Sequence, residues 1–420
     1  MPPPLLSTCL ISTILGIATH LGYFIHADIE KHAVVIANCF LFGPVLGLAA
    51  LAVFGSRDVF WWGCLVLMSY EGGIFVSIAM YRYFFHAVGG FPGPRMARIS
   101  ALWSVRAAVV QAKWHVRVRE LHGVYGDVVR ISMDIIQRGD ECGIGGLVRE
   151  VCVPLASYEP HILEHCRDLV RLIESRGSKM QEVTGLIDGF AWDSMGILAF
   201  SKSFNMLHGS PPKMMRMMRD MGRGAAALVC ASWAVIFLRN MVGVRRVTVQ
   251  WLEWCAQEVE ERKRRSAELD RRDLFSYLIE DTTSENDHSL TGTDGDLVRD
   301  SELAIAAGSD TTASTLNALL YLLAQHPDKL QRLREEIDSA VPAGEELSHA
   351  ALIGKPYLEG CINEGLRLYP AVMSGLQRET GPEGLRTAGV YIPPYTLVSV
   401  PTYTIQRARR IHPGEVVQSA

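Results

Sequence analysis

Three long apolar stretches occupy the first ninety residues, and beyond them the pattern changes to mixed polar and apolar positions with helical spacing. Leu5 to Ile25 is apolar apart from Ser, Thr and His20, and no basic residue precedes it, which speaks against a cleaved signal peptide. Ala33 to Phe54 carries no charge and has the length of a bilayer core. Val59 to Phe85 is largely apolar but holds Glu71 and Arg82. The pattern predicts up to three transmembrane helices over residues 1–90. Arg82, Arg95, Arg98, Arg106 and Lys113 follow, so the next domain should face the cytosol, with the amino terminus across the membrane. Glu71 is read as snorkelling or facing another span in preference to a proton relay.

Phe91-Pro92-Gly93-Pro94 forms a stiff connector, because proline fixes φ and ends helices. Trp103 to Val124 reads as helix, and Tyr125 to Ile131 as a turn into a short strand. Residues 132–154 show no pattern. Helical signals resume with amphipathic His161 to Ser175, then apolar Phe190 to Phe200 with Asp193 inside it. Met214 to Met221 reads as an adaptable packing face rather than a metal or ligand site. Val247 to Arg272 reads as a charged, solvated helix, and residues 281–295 as a polar loop. Leu303 to Leu323 has no proline and predicts one long helix. Pro327 to Ser339 and Lys355 to Leu368 follow, the latter ending near Pro370. Tyr391 to Val400 reads as a β-hairpin around Pro393-Pro394. The expectation is a mainly α fold with a small β portion and no internal repeat.

Charge changes this picture little. A net charge of -4 over 420 residues gives no sign of a nucleic-acid partner. Nine scattered cysteines contain no CxxC pair, which argues against zinc and fits a reducing compartment. No metal ligands are assigned.

Candidate chemistry sits in the long apolar helix, at Ala307-Gly308-Ser309-Asp310-Thr311-Thr312. Glycine costs a helix about 1 kcal/mol relative to alanine, and an acid among apolar residues costs more unless paired or hydrated. Rules broken together suggest a working site. Ala307 and Thr311 share a helix face, and a small residue there lets a flat ligand approach the backbone. The threonine hydroxyl can bond the carbonyl four residues back or open the helix to water, and a neighbouring acid can relay protons. Further on stands Glu364-Gly365-Leu366-Arg367, followed by Leu368-Tyr369-Pro370. Glu and Arg three apart occur five times in the chain, so context rather than spacing separates this pair.

Together these strings resemble the cytochrome P-450 family of haem-thiolate monooxygenases, in its fungal membrane-bound form. The Phe91 to Pro94 connector, Ala191 to Gly196 and Asp273 to Leu278 strengthen the likeness, as does Val400-Pro401-Thr402, read as a strand. The resemblance implies a P-450-like domain over residues 91–407, with a divergent tail over 408–420. It implies haem as cofactor, a NADPH-dependent reductase and a hydrophobic small-molecule substrate as partners, and an endoplasmic-reticulum membrane facing the cytosol. By the same resemblance Asp310 is the proton-relay acid and Thr311 the oxygen-activating alcohol. Ala307 and Gly308 would lie over the haem face, Glu364 and Arg367 would form a structural lock, and Arg378 would sit near a haem propionate.

Two departures accompany the likeness. The glycine-rich cysteine loop that carries the iron ligand is not found, and Cys361 lies on the helix of the Glu364–Arg367 pair. The Trp-x-x-x-Arg helix is also missing; it should fall within residues 132–154, where Leu147-Val148-Arg149 is its nearest trace. Two other readings therefore stand beside the enzyme: a non-catalytic remnant or faulty gene model, and a helical membrane-associated binding protein.

Overall fold

The computed structural model describes residues 5–26, 29–111, 113–132, 135–138, 158–177, 181–209, 216–217, 242–267, 273–283, 294–341, 347–387 and 389–408. The unpatterned 139–154 stretch, most of Met214 to Met221 and the tail from 409 onward lie outside them. The chain divides into two compact units, one made of Met1–Asp140, Arg223–Arg245 and Gln377–Val400, the other of the remaining segments.

The first unit opens with α1 (Leu5–Thr19, continued by a wide turn over His20–Phe24), α2 (Ile29–Phe54) and α3 (Arg57–Phe84). Leu5–Phe24 and Arg57–Phe85 are each long and apolar enough to cross a membrane; for the middle stretch, Asn38–Phe54 is the apolar part described. Contacts along α1 and α3 advance in step. Ser12 Oγ donates to the Val66 carbonyl at 2.9 Å, Thr19 Oγ1 meets the Tyr70 hydroxyl at 3.1 Å, and His20 Nδ1 meets Ser77 Oγ at 2.8 Å. The two helices therefore run parallel. They also approach closely, since a Cβ on Gly16 would collide with the Tyr70 carbonyl and one on Gly73 with the Thr13 backbone.

This trio is packed inside out. Ser12, His20 and Gly73 are buried, while Leu10, Ile14, Leu15, Phe75, Val76 and Met80 are exposed. Small and polar residues inside with large apolar ones outside is the arrangement expected where lipid is the solvent. Glu71 lines a groove of about 630 Å³ whose other wall is Gly43, Pro44 and Gly47 of α2, so it faces a neighbouring apolar helix.

After α3 come α4 (Arg95–Ile99), α5 (Leu102–Gln111), α6 (Trp114–Tyr125), β1 (Val128–Arg130) and β2 (Ile135–Arg138). The single helix expected over Trp103 to Val124 is thus two, broken around residues 112–113. The connector is pinned to β1, because Arg130 N–H donates to the Pro92 carbonyl at 2.8 Å. Phe91 is buried with Val88, Val128 and Ile392.

Later strands β3 (Gln377–Glu379), β4 (Leu385–Thr387), β5 (Val390–Ile392) and β6 (Leu397–Ser399) return to this unit. They form a four-stranded sheet in the order β1-β2-β6-β3 and a separate β4–β5 pair. β2 and β6 are parallel, with Ile136 opposite Val398. The hairpin expected around Pro393-Pro394 does not form: β5 pairs with β4, and β6 with β2 and β3. Two prolines in succession offer no N–H for a ladder. Thr380 instead holds the bend, its hydroxyl donating to the Pro393 carbonyl and accepting from Thr396 N–H.

The second unit is helical: α7 (Glu159–Ser175), α8 (Thr184–Phe200), α9 (Val242–Arg264), α10 (Leu274–Thr283), α11 (Asp294–Gln325), α12 (Pro327–Ala340), α13 (His349–Leu352), α14 (Pro356–Leu368) and α15 (Thr402–Ile405). Its main core joins Trp192 and Phe200 of α8, Trp251, Cys255 and Val259 of α9, Phe275 of α10, and Leu297 and Ile305 of α11. α9 is therefore not the solvated helix its charges suggested. Trp251, Cys255, Glu258, Val259 and Arg262 recur at helical spacing on one buried face. The buried Arg262 is neutralised by Asp273, its Nε 2.6 Å from one carboxylate oxygen and NH2 2.9 Å from the other. The buried Asp193 accepts the N–H groups of Met206 and Leu207 at 3.0 and 2.9 Å. Val400-Pro401-Thr402 is not a strand: β6 ends at Ser399 and Thr402 begins α15.

Candidate functional site

α11 carries the acid–alcohol string in its middle, unbroken from Asp294 to Gln325. It is two-faced. Ser301, Ile305, Ser309 and Ala313 are buried, whereas Leu303, Ala307, Asp310 and Ser314, on the other side, are exposed. Position 308 must be small because a Cβ there would stand 2.6 Å from Met195 Cε on α8. Gly308 thus serves helix packing, while Ala307 looks outward; the structure separates two residues that the sequence grouped on one ligand face. Thr311 Oγ1 donates to the Ala307 carbonyl at 2.8 Å, and Thr312 Oγ1 to the Gly308 carbonyl at 2.8 Å. Both threonines make the bond expected four residues back, without interrupting the helix.

α14 packs on α11 through Gly365, where a side chain would collide with Leu319. Arg367 binds Glu364 through two parallel bonds, Nε to Oε2 at 2.6 Å and NH2 to Oε1 at 2.7 Å. Its NH1 donates to the Gln406 carbonyl at 3.0 Å. A residue that sequence reasoning missed completes the lock. Arg407 stands 3.7 Å over the Tyr403 ring and donates to the carbonyls of Arg367 and Leu368. Glu364 and Arg367 are thus joined to each other and to the segment after β6. Among the other Glu-x-x-Arg repeats, Glu261 turns instead to Lys202 and Arg265. Arg378 belongs to the first unit, exposed on β3, with NH1 donating to the Gln377 carbonyl at 2.8 Å.

The residues present fit a haem on one side. Among the described residues, the face of α11 turned away from α8 exposes Ala307, Asp310 and Ser314 together with Leu303, and Thr311 is half-buried beside them. The thiolate side is not met among the described residues. Cys255 is sealed in the core, and burial pushes its thiol up to about 12. Burial also raises Cys166, against the opposing charge of Arg167. Cys361 is raised by burial and by Glu336.

The chain thus carries a long helix with an acid–alcohol string, packed on a helix that holds a glutamate–arginine pair, the combination by which its sequence resembles the haem-thiolate monooxygenases. Residues 147–413 match the model of the family described as Cytochrome P450. The cytochrome P450 monooxygenase nodW of Hypoxylon pulicicidum is 37% identical over 97% of this chain and 82% of its own length. The cytochrome P450 monooxygenase FCK2 of Fusarium pseudograminearum is 29% identical over 95% and 80%. Tryprostatin B 6-hydroxylase of Aspergillus fumigatus is 26% identical over 94% and 78%. The chain belongs to the cytochrome P450 family. The match to nodW runs over 446 positions, more than the chain's 420 residues, so that relative carries internal segments without counterpart here.

Proposed function

We propose that the protein is a membrane-anchored, haem-dependent monooxygenase that hydroxylates a hydrophobic secondary metabolite, using dioxygen and electrons from a NADPH-dependent reductase. The observation that carries this reading is the two-faced α11, on which Ala307 and Asp310 are exposed and Thr311 is half-buried beside them, while the opposite face is sealed against α8. Haem, when bound, supplies dioxygen activation. The chain's own residues do the rest. Ala307 keeps the helix surface low enough for a flat ligand to lie against it. Asp310 delivers protons from the exposed side, and the Thr311 hydroxyl, its own proton engaged by the Ala307 carbonyl, accepts from and positions a proton donor beside the helix. Glu364, Arg367 and Arg407 hold the framework and take no part in proton transfer.

The parallel, directly packed α1 and α3 support a three-pass anchor. Two neighbouring spans can run in the same direction only if the segment between them returns across the bilayer, and the 26 residues of α2 extend about 39 Å, enough to do so. Residues 91–407 would then face the cytosol from the endoplasmic reticulum, with the amino terminus on the opposite side.

The decisive experiment is a carbon-monoxide difference spectrum of the reduced, purified full chain. The monooxygenase reading expects a Soret band of thiolate-ligated iron. Haem-free protein would overturn it in favour of a second reading, a non-catalytic protein of the same ancestry. That alternative is favoured by one observation: in the second unit Cys255 is sealed in the core, closed to any ligand.

A further inference from the structure

The first unit contains a buried cation without a counter-charge. Arg130, at the end of β1, is 1% exposed. Its side chain makes one hydrogen bond, NH1 to the Val88 carbonyl at 3.1 Å, and its Nε and NH2 are buried without partners. No carboxylate pairs with it among the described residues. A buried, unneutralised guanidinium with two idle donors is strongly unfavourable, and proteins resolve such cases by pairing. Here the neighbourhood makes the charge worse. Arg98 of α4 is close enough that, after desolvation, it is the second cause lowering Arg130 to about 10.

The surrounding donors are equally idle. Arg98 Nε is buried and unpartnered. Ser132 is fully buried with an unpartnered hydroxyl. Ser132 follows Arg130 by two residues, just past the end of β1. Three groups thus present four unused donors, with two positive charges and, among the described residues, no paired acid. That is the chemical negative of a tetrahedral oxyanion, which offers several acceptors and charge of the opposite sign.

Position narrows the ligand. The Val88 carbonyl held by Arg130 lies just past the end of α3, and Pro92 of the connector bonds Arg130 N–H. Arg82, in the last turn of α3, donates to the Ile99 carbonyl, next to Arg98. The donors therefore gather where the anchor hands over to the domain, at the depth of lipid headgroups. We propose that Arg98, Arg130 and Ser132 form a binding site for a phosphate-type oxyanion, supplied by an anionic phospholipid headgroup. The site goes beyond the monooxygenase reading and rests only on its membrane part.

The test uses the full chain in nanodiscs and reads thermal unfolding and co-purifying lipid, neither of which requires haem. Nanodiscs of phosphatidylcholine alone are compared with ones containing one-fifth phosphatidic acid, and inorganic phosphate is added to the former. The expected result is a higher Tm with phosphatidic acid and retention of that lipid after detergent exchange. A gain with inorganic phosphate alone would sink the headgroup assignment, leaving a soluble anion as the ligand. Arg130→Met should abolish the gain while raising Tm in phosphatidylcholine alone, because it removes an unpaired buried charge; Arg98→Gln should reduce the gain without that rise. Equal Tm in all lipids, or a gain that survives both substitutions, overturns the proposal.

Discussion

Asp193 illustrates how a buried acid inside a helix can be structural. Its two carboxylate oxygens take the N–H groups of Met206 and Leu207, fixing the chain as it leaves α8. Replacing it by alanine strands both donors, and we expect Asp193→Ala to cost about 2–3 kcal/mol in urea unfolding. Asp310, by contrast, is exposed on α11, and Asp310→Asn keeps its size while removing its charge. In haem-loaded enzyme the same change, or Thr311→Val, should lower product formed per dioxygen consumed by about tenfold or more, the scale of a lost proton-transfer group. Cys255 provides a pH prediction. Its folded-state value, about 12, lies above the ordinary thiol value of 9, so the folded state keeps its proton longer than the unfolded chain. The resulting stability is complete below pH 9 and is lost as pH rises toward 12. Cys255→Ala should flatten that part of a stability–pH curve.

At the scale of elements, the string that drew attention in the sequence proves to serve two masters. Gly308 meets Met195 of α8, while Ala307 beside it is exposed. The atoms in the way are the end of a flexible side chain, so Gly308→Ala should be tolerated within about 1 kcal/mol, the helix gain offsetting the crowding. Gly308→Leu should cost about 1–3 kcal/mol by overpacking, and Met195→Ala should relieve part of it, a coupling that a double-mutant cycle would register. Here lies the boundary of what the sequence disclosed. The long helix, the Glu364–Arg367 helix and the apolar trio were legible because apolar periodicity and proline punctuation act locally. The burial of α9 was hidden, because Glu258 and Arg262 read as solvent-facing until partners from distant segments, Lys202 and Asp273, are in place. The Pro393-Pro394 bend misled for the same reason: strands can be located from local composition, but their partners come from residues far along the chain. Arg407 was invisible as a lock because its contacts are carbonyls and rings, which no spacing rule encodes.

Across the whole molecule, the anchor and the haem question are separable. A glycosylation acceptor placed ahead of Leu5 should be modified in microsomes if α1, α2 and α3 all cross, while one placed between α6 and β1 should not. An unmodified amino-terminal site would return the anchor to an even number of crossings and contradict the parallel packing of α1 on α3. The spectrum of the reduced protein with carbon monoxide answers the other question, and either result leaves the first intact.

The parallel pairing of β2 with β6 carries a consequence for synthesis. More than 250 residues separate Ile136 from its neighbour Val398. On the ribosome, the apolar helices α1 to α3 are finished long before the strand that completes the sheet of the same unit has been translated. Through most of elongation β2 must wait with one edge open, and chains stalled before residue 397 should be the ones that chaperones and proteases seize.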